Sequence, residues 1–256
     1  MKQLFQKGYL TLVYGLLYIP ILVLILYSIN DARFSLRWHG FSMKWYTELL
    51  QDQALWSAFM HSVYLGVTTS FIATFSGLLA CVSLFLHPNK TRDGYFYATL
   101  LLLIIIPDLV LGIALLIFFN ITSTPLGFFS LMIAHVTFCI PFVLFTINSR
   151  MHTLDKHIYN SALDLGASPR VAFTRILCPL LWPAISSAFL LCFTLSFDDV
   201  IISYFVAGPE FNILPLAIYS LVRSGVTPEL NALCTVTFFI SMGLVIISHY
   251  LSRKVS

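Results

Sequence analysis

Three aspartates lie where an ionised side chain is costly. Asp108 sits in the run TLLLLIIIPDLVLGIALLIFF, and Asp198 and Asp199 sit in ISSAFLLCFTLSFDDVIISYF. At the centre of a membrane-crossing helix each carboxylate costs about 2.5–3.5 kcal/mol, so something must offset it. If both runs enter from the same side, Asp108 lies about 17 Å deep and Asp198 about 21 Å deep at about 1.5 Å per residue. The carboxylates then share a layer. Pro107 removes a backbone donor beside Asp108 and leaves carbonyl oxygens free. Carboxylates and free carbonyls at one depth suit a cation that has shed its water, above all a linear one with several ammonium groups. Asp108, with Asp198 or Asp199, is therefore expected to line a passage and contact such a cation. The competing expectation is that each aspartate caps a helix break or pairs with a neighbouring helix. Adjacent residues point about 100° apart on a helix, which leaves one of Asp198 and Asp199 for such a structural role.

Other chemistries find little support. The chain has no H-E-x-x-H and no G-x-S-x-G, and its only Asp-Asp pair turns its side chains apart, so an intramembrane hydrolase is disfavoured and no catalytic residue is assigned. His61 and His135 are expected as hydrogen-bonded packing residues, with no ligand spacing for a metal. The five cysteines include no C-x-x-C pair and read as small apolar fillers. There is no G-x-x-x-x-G-K-[ST], so any ATP must be bound by another chain.

The elements that position the aspartates follow from composition. Of 256 residues, 59% are hydrophobic and 10% charged, which excludes a soluble monomeric enzyme. A net charge of +3, dispersed along the chain, makes no basic face for nucleic acid. Apolar runs of about 20 residues can span a bilayer, and six are present: 9–29, 61–86, 97–119, 128–147, from after 183 to about 205, and 233–251. The expected architecture is an all-α integral membrane protein with six transmembrane helices forming one domain over 1–256. The first run lacks a small-residue cleavage pattern and reads as a retained helix. Of the 14 Lys and Arg, only Arg33, Arg37, Lys44 and Arg223 fall on one side of these spans; the richer side is cytoplasmic, and with it both termini. The outer segment 30–60 carries Phe34, Trp38, Phe41, Trp45, Tyr46 and Trp56, aromatics suited to resting on lipid at the interface.

About 35 cytoplasmic residues separate the fourth and fifth spans, more than a bundle needs to turn around. Asp155 is a plausible N-cap, Ile158, Ala162 and Leu165 make an apolar stripe, and Gly166 can end the helix in a left-handed conformation. Ser168 and Pro169 then start a second helix, which Pro179 is expected to stop. The loop 153–179 is thus a helix, a glycine elbow and a helix.

The run NSALDLG (160–166), followed after nine residues by ILCP (176–179), resembles the EAA loop of permease subunits in type I ABC importers. Ala162, Gly166, Ile176 and Pro179 match in register, whereas Asn160 replaces the family's Glu, Ser161 an Ala, and Cys178 a Leu. The resemblance implies the type I ABC importer permease fold in a bacterial inner membrane. It also implies a multi-pass, non-catalytic subunit whose Asn160, Ser161, Ala162, Asp164, Gly166, Ala167, Ile176 and Pro179 couple to an ATPase. ATP and Mg would be bound by that partner, with no cofactor in this chain. The segments FSMKWY (41–46), IPD (106–108), DLGAS (164–168), SFDDV (196–200), GPE (208–210) and GVTPE (225–229) resemble the PotC-type permeases of spermidine/putrescine importers. That likeness implies three partners besides lipid: a dimer of ATP-binding subunits, a second permease of PotB type and an extracytoplasmic polyamine-binding protein. A sister permease for another small solute is the nearest alternative. A stand-alone secondary transporter fits less well, because no duplicated half is evident and the inner loop would go unexplained.

Overall fold

The computed structural model describes residues 2–31, 37–225 and 228–254. Arg33, Phe34, Val226 and Thr227, all placed on the outer side by the sequence, lie outside them. The described residues form α1 (Lys2–Ser28), α2 (Lys44–Gln51), α3 (Gln53–Leu86), α4 (Lys90–Ile105), α5 (Asp108–Ile121), α6 (Phe128–Thr153), α7 (Lys156–Asp164), α8 (Pro169–Ala172), α9 (Cys178–Asp198), α10 (Ile201–Val206), α11 (Leu214–Ser224) and α12 (Pro228–Lys254). A single isolated bridge, Asn30 to Phe41, is the nearest approach to a strand among them. Four helical segments are long and apolar enough to cross a membrane, or five if the bent pair α4–α5 is one span. The sixth apolar run falls within α12.

The chain divides into two compact units. In the first, residues 1–57 with 217–244, α1 is apolar on all sides and none of its residues 8–27 is buried, as suits lipid in place of a protein core. Asn30 organises the turn after α1. Its Nδ2 donates to the Arg37 carbonyl at 3.0 Å, its Oδ1 accepts from the His39 amide at 2.9 Å, and its carbonyl accepts from Trp45 Nε1 at 2.8 Å. Backbone groups that would otherwise be orphaned beside an apolar helix are satisfied in this way.

The second unit, residues 58–216 with 245–256, has its core where α6 lies along α9. Cys139, Val143, Ile147 and Met151 pack with Leu181, Ala188 and Cys192, joined by Ala73 and Cys81 from α3. The contact is mainly apolar, and the cysteines fill small spaces while the Cys139 thiol donates weakly to the Cys192 carbonyl at 3.8 Å and the Cys81 thiol to Asn148 Oδ1 at 3.8 Å. A second cluster joins Leu65, Leu111, Phe119, Leu131, Ala134, Ile202, Val206 and Ile213. Gly208 sits against the 126–127 turn so closely that a Cβ would strike the Leu126 carbonyl. Because that obstacle is backbone, it cannot swing aside. Gly208→Ala should destabilise the protein by about 1–3 kcal/mol, the usual cost of overpacking. Gly94→Ala, where a Cβ meets nothing within 4 Å, should not. Thermal unfolding of the detergent-solubilised protein separates the two.

Two expected elements differ in form. The third run is no continuous helix. Ile106 is held extended (ψ 129°) because the following proline excludes the helical region, and α4 and α5 meet at 106°. The second half of the inner loop does not stop at Pro179 either. Phe173–Leu177 forms a π turn that leads directly into α9, so one helical segment runs from Pro169 to Asp198. Pro179 follows directly on that π turn, in the first residues of α9.

Candidate functional site

Each aspartate sits at a helix break. The Pro107 carbonyl accepts from the amides of Val110 and Leu111, starting α5, and Asp108 is the first residue of that helix. Its charge therefore meets the positive end of the helix dipole, which offsets part of the cost of burying it in apolar surroundings. The second break follows Asp198. Asp199 is extended (ψ 123°), and its carboxylate caps α10, accepting from the amides of Ile202 at 3.3 Å and Ser203 at 2.7 Å and from the Ser203 hydroxyl at 2.8 Å.

Because α10 packs on α5, the two breaks come together. Between them is an open cavity of about 440 Å³ lined by Asp108, Asp198 and Asp199 with Phe138, Phe142 and Thr194 among its walls. All three sequence-predicted aspartates thus border one space. They differ in availability. Asp108 and Asp198 are exposed and make no hydrogen bond or ion pair among the described residues, whereas the Asp199 side chain is only 9% exposed and already taken. Irregular backbone at two helix breaks, opening on a cavity with unpaired carboxylates, can bind a cation of more than one charged centre.

Three side chains that sequence reasoning did not place in the site stand behind it. His135, on α6, is fully buried. Its Nδ1 lies 2.7 Å from Ser196 Oγ and its Nε2 lies 3.0 Å from Ser203 Oγ and 3.6 Å from Asp199 Oδ2. The signal was present: Asp199 and Ser203 are spaced i, i+4, and His135 is a polar residue in an apolar run. His61 has the packing role expected of it, with Nδ1 donating to the Asn212 carbonyl at 2.9 Å and its ring stacked on Phe211 at 4.2 Å. Among the described residues no group of His, Cys, Asp and Glu could hold a metal ion.

Residues 71–256 match the family described as binding-protein-dependent transport system inner membrane component. This chain belongs to that family. The permease is also 41% identical over 98% of its length to the spermidine/putrescine transport system permease protein PotC of Escherichia coli (strain K12), covering 95% of that protein. It is 38% identical to the putrescine transport system permease protein PotI of the same organism, over 88% of this chain and 83% of that one. Its fold is that of ABC importer permeases. It superposes with a TM-score of 0.74 on a chain of a bacterial alginate ABC transporter solved with an alginate pentasaccharide-bound periplasmic protein, covering 99% and 94% of the two chains at 15% identity.

In the permease the inner loop is built as two capped helices. Asp155 accepts from the His157 amide at 2.9 Å, and Ser168 from the Val171 amide at 3.4 Å. At the elbow Gly166 has φ +87°, and the Ala167 amide reaches back to the Ala162 carbonyl at 3.0 Å, closing the end of α7. Of the stripe read from the sequence, only Ala162 lies on the buried face of α7. Tyr159 and Ala162 pack inward with Ala172 and Leu177, while Ile158 is 42% and Leu165 89% exposed. Of the residues expected to couple, Ala162 is buried, Ala167 and Ile176 are half-buried, and Asn160, Ser161, Asp164, Gly166 and Pro179 are exposed.

Proposed function

We propose that this permease forms half of the transmembrane passage of an ATP-driven polyamine importer. Asp108 and Asp198 are the carboxylates that receive substrate ammonium groups. The observation that carries this is the meeting of two helix breaks at one cavity with two unpaired carboxylates. The polyamine names of the 41% and 38% identical relatives favour the same substrate class. Asp199, held by three donors from α10 with the His135 ring beside it, shapes the wall. The other half of the passage comes from a second permease of PotB type. An extracytoplasmic binding protein delivers substrate.

The same proposal gives 153–179 the role of coupling loop to a dimer of ATP-binding subunits that holds ATP and Mg. A leucine 89% exposed at a rigid elbow, beside exposed Asn160, Ser161 and Asp164, has the makeup of a surface that a partner covers. Asn160 replaces the family's Glu, so a neutral side chain would make the contact there. The bulk of the loop's grip would come from shape and apolar burial.

The test is uptake of radiolabelled spermidine and putrescine by polyamine-depleted cells carrying the complete transport system with and without this chain. Uptake that depends on the chain supports the reading. Absence of polyamine uptake from an assembled system overturns the substrate and leaves an ABC importer permease for another solute.

A further inference from the structure

We propose that His135 is a positioning residue for the carboxylates of the cavity. Its transport readout rests on the polyamine reading above; its structural argument does not. The ring spans the α9–α10 break, touching Ser196 in the last turn of α9 and Ser203 in α10. Hydrogen positions follow from the partners. Asp199 Oδ2 takes the Ser203 amide and the Ser203 hydroxyl. Having given its hydrogen to the carboxylate, Ser203 Oγ can only accept from the imidazole, so Nε2 carries a hydrogen. In a neutral ring Nδ1 then accepts from Ser196. The bonds run in one direction, from Ser196 through His135 and Ser203 to Asp199.

The consequence for the site is selective. Anchored on both sides of the break, the ring holds Asp199 against α10 and fixes the backbone turn at which Asp198 enters the cavity. Without the ring, Ser203 and Ser196 lose a buried partner and the backbone turn that carries Asp198 loses its anchor on both sides. Substrate binding suffers while the helices remain packed by α6 and α9.

The two amide side chains imitate different halves of imidazole. Gln places its amide nitrogen near the Nε2 position and can donate to Ser203; Asn reaches only the Nδ1 position. In the assembled transporter His135→Ala and His135→Asn should raise the KM for spermidine about tenfold with Vmax within about twofold, the scale of one lost buried hydrogen bond. His135→Gln should return KM to within about threefold of wild type. Ser203→Ala should cost less in the His135→Ala background than alone, because the bond from the ring to Ser203 is already gone and only the Ser203 hydroxyl's bond to Asp199 remains to be lost. An unchanged KM in His135→Ala, or equal losses in His135→Ala and His135→Gln, overturns the proposal. If the wild type moves no polyamine, the substrate reading fails and nitrogen NMR of histidine-labelled transporter decides the positioning role. A ring signal absent from His135→Gln identifies His135. A hydrogen on its Nε2 upholds the assignment, and its absence there sinks it.

Discussion

Asp108→Asn and Asp198→Asn should each raise the KM for polyamine uptake about 10- to 100-fold, the equivalent of the about 1.5–3 kcal/mol of a hydrogen bond to a charged group. Asparagine keeps the size of the side chain and removes the charge. Both residues are exposed to the cavity and bonded to nothing among the described residues, so neither substitution leaves a buried partner unsatisfied. Protein level and assembly should therefore hold, and the loss should appear in transport alone. Asp199→Asn is the contrasting case. That side chain caps α10 and meets His135, so its substitution should lower the amount of assembled transporter as well as its activity. Uptake that survives Asp108→Asn with unchanged KM removes Asp108 from the passage.

The second large effect lies at the inner elbow. Gly166→Pro should abolish substrate-stimulated ATP hydrolysis and uptake together. Proline fixes φ near −65°, opposite in sign to the +87° found there, and it removes the amide that bonds the Leu163 carbonyl at 2.9 Å. Gly166→Ala is milder, because a Cβ at this position meets nothing within 4 Å and only the left-handed backbone is penalised, by about 1–2 kcal/mol. Reconstituted ATPase assays with and without the loaded binding protein read the difference. Normal stimulation in Gly166→Pro would remove the loop from coupling.

The parts of this molecule that were legible in the sequence are those with a local physical cause. Asp155 and Ser168 sit as caps because a short polar side chain before a helix has few better bonds to make, and Gly166 takes the left-handed elbow because only glycine does so freely. The three aspartates could be singled out because their solvent was wrong for them. What depends on tertiary packing was hidden. Nothing local to Pro179 says that a π turn before it will keep the helix going, and periodicity alone chose Ile158 and Leu165 as companions of Ala162 on a face that Ala162 shares with Tyr159 instead. Pro107 signalled a weakness in the third run, yet the size of the bend is set by how α5 settles on α10. His135 was assigned to packing in general terms; that its partners would be Ser196 and Ser203 required knowing that α6, α9 and α10 converge.

The helical segment from Pro169 to Asp198 has 30 residues, a contour of about 45 Å along which lie the π turn, Pro179 and Pro183. One end carries the glycine elbow and the other carries a cavity carboxylate. Tilting as one body about its middle, in the manner of a see-saw, such a segment would displace its two tips by about 2 Å in opposite directions for a swing of about 5°. Under the roles proposed above, a displacement imposed at the elbow end would reach the carboxylate as leverage through a single backbone, without relay through a chain of side chains, and the tilt would loosen or tighten the grip on a cation.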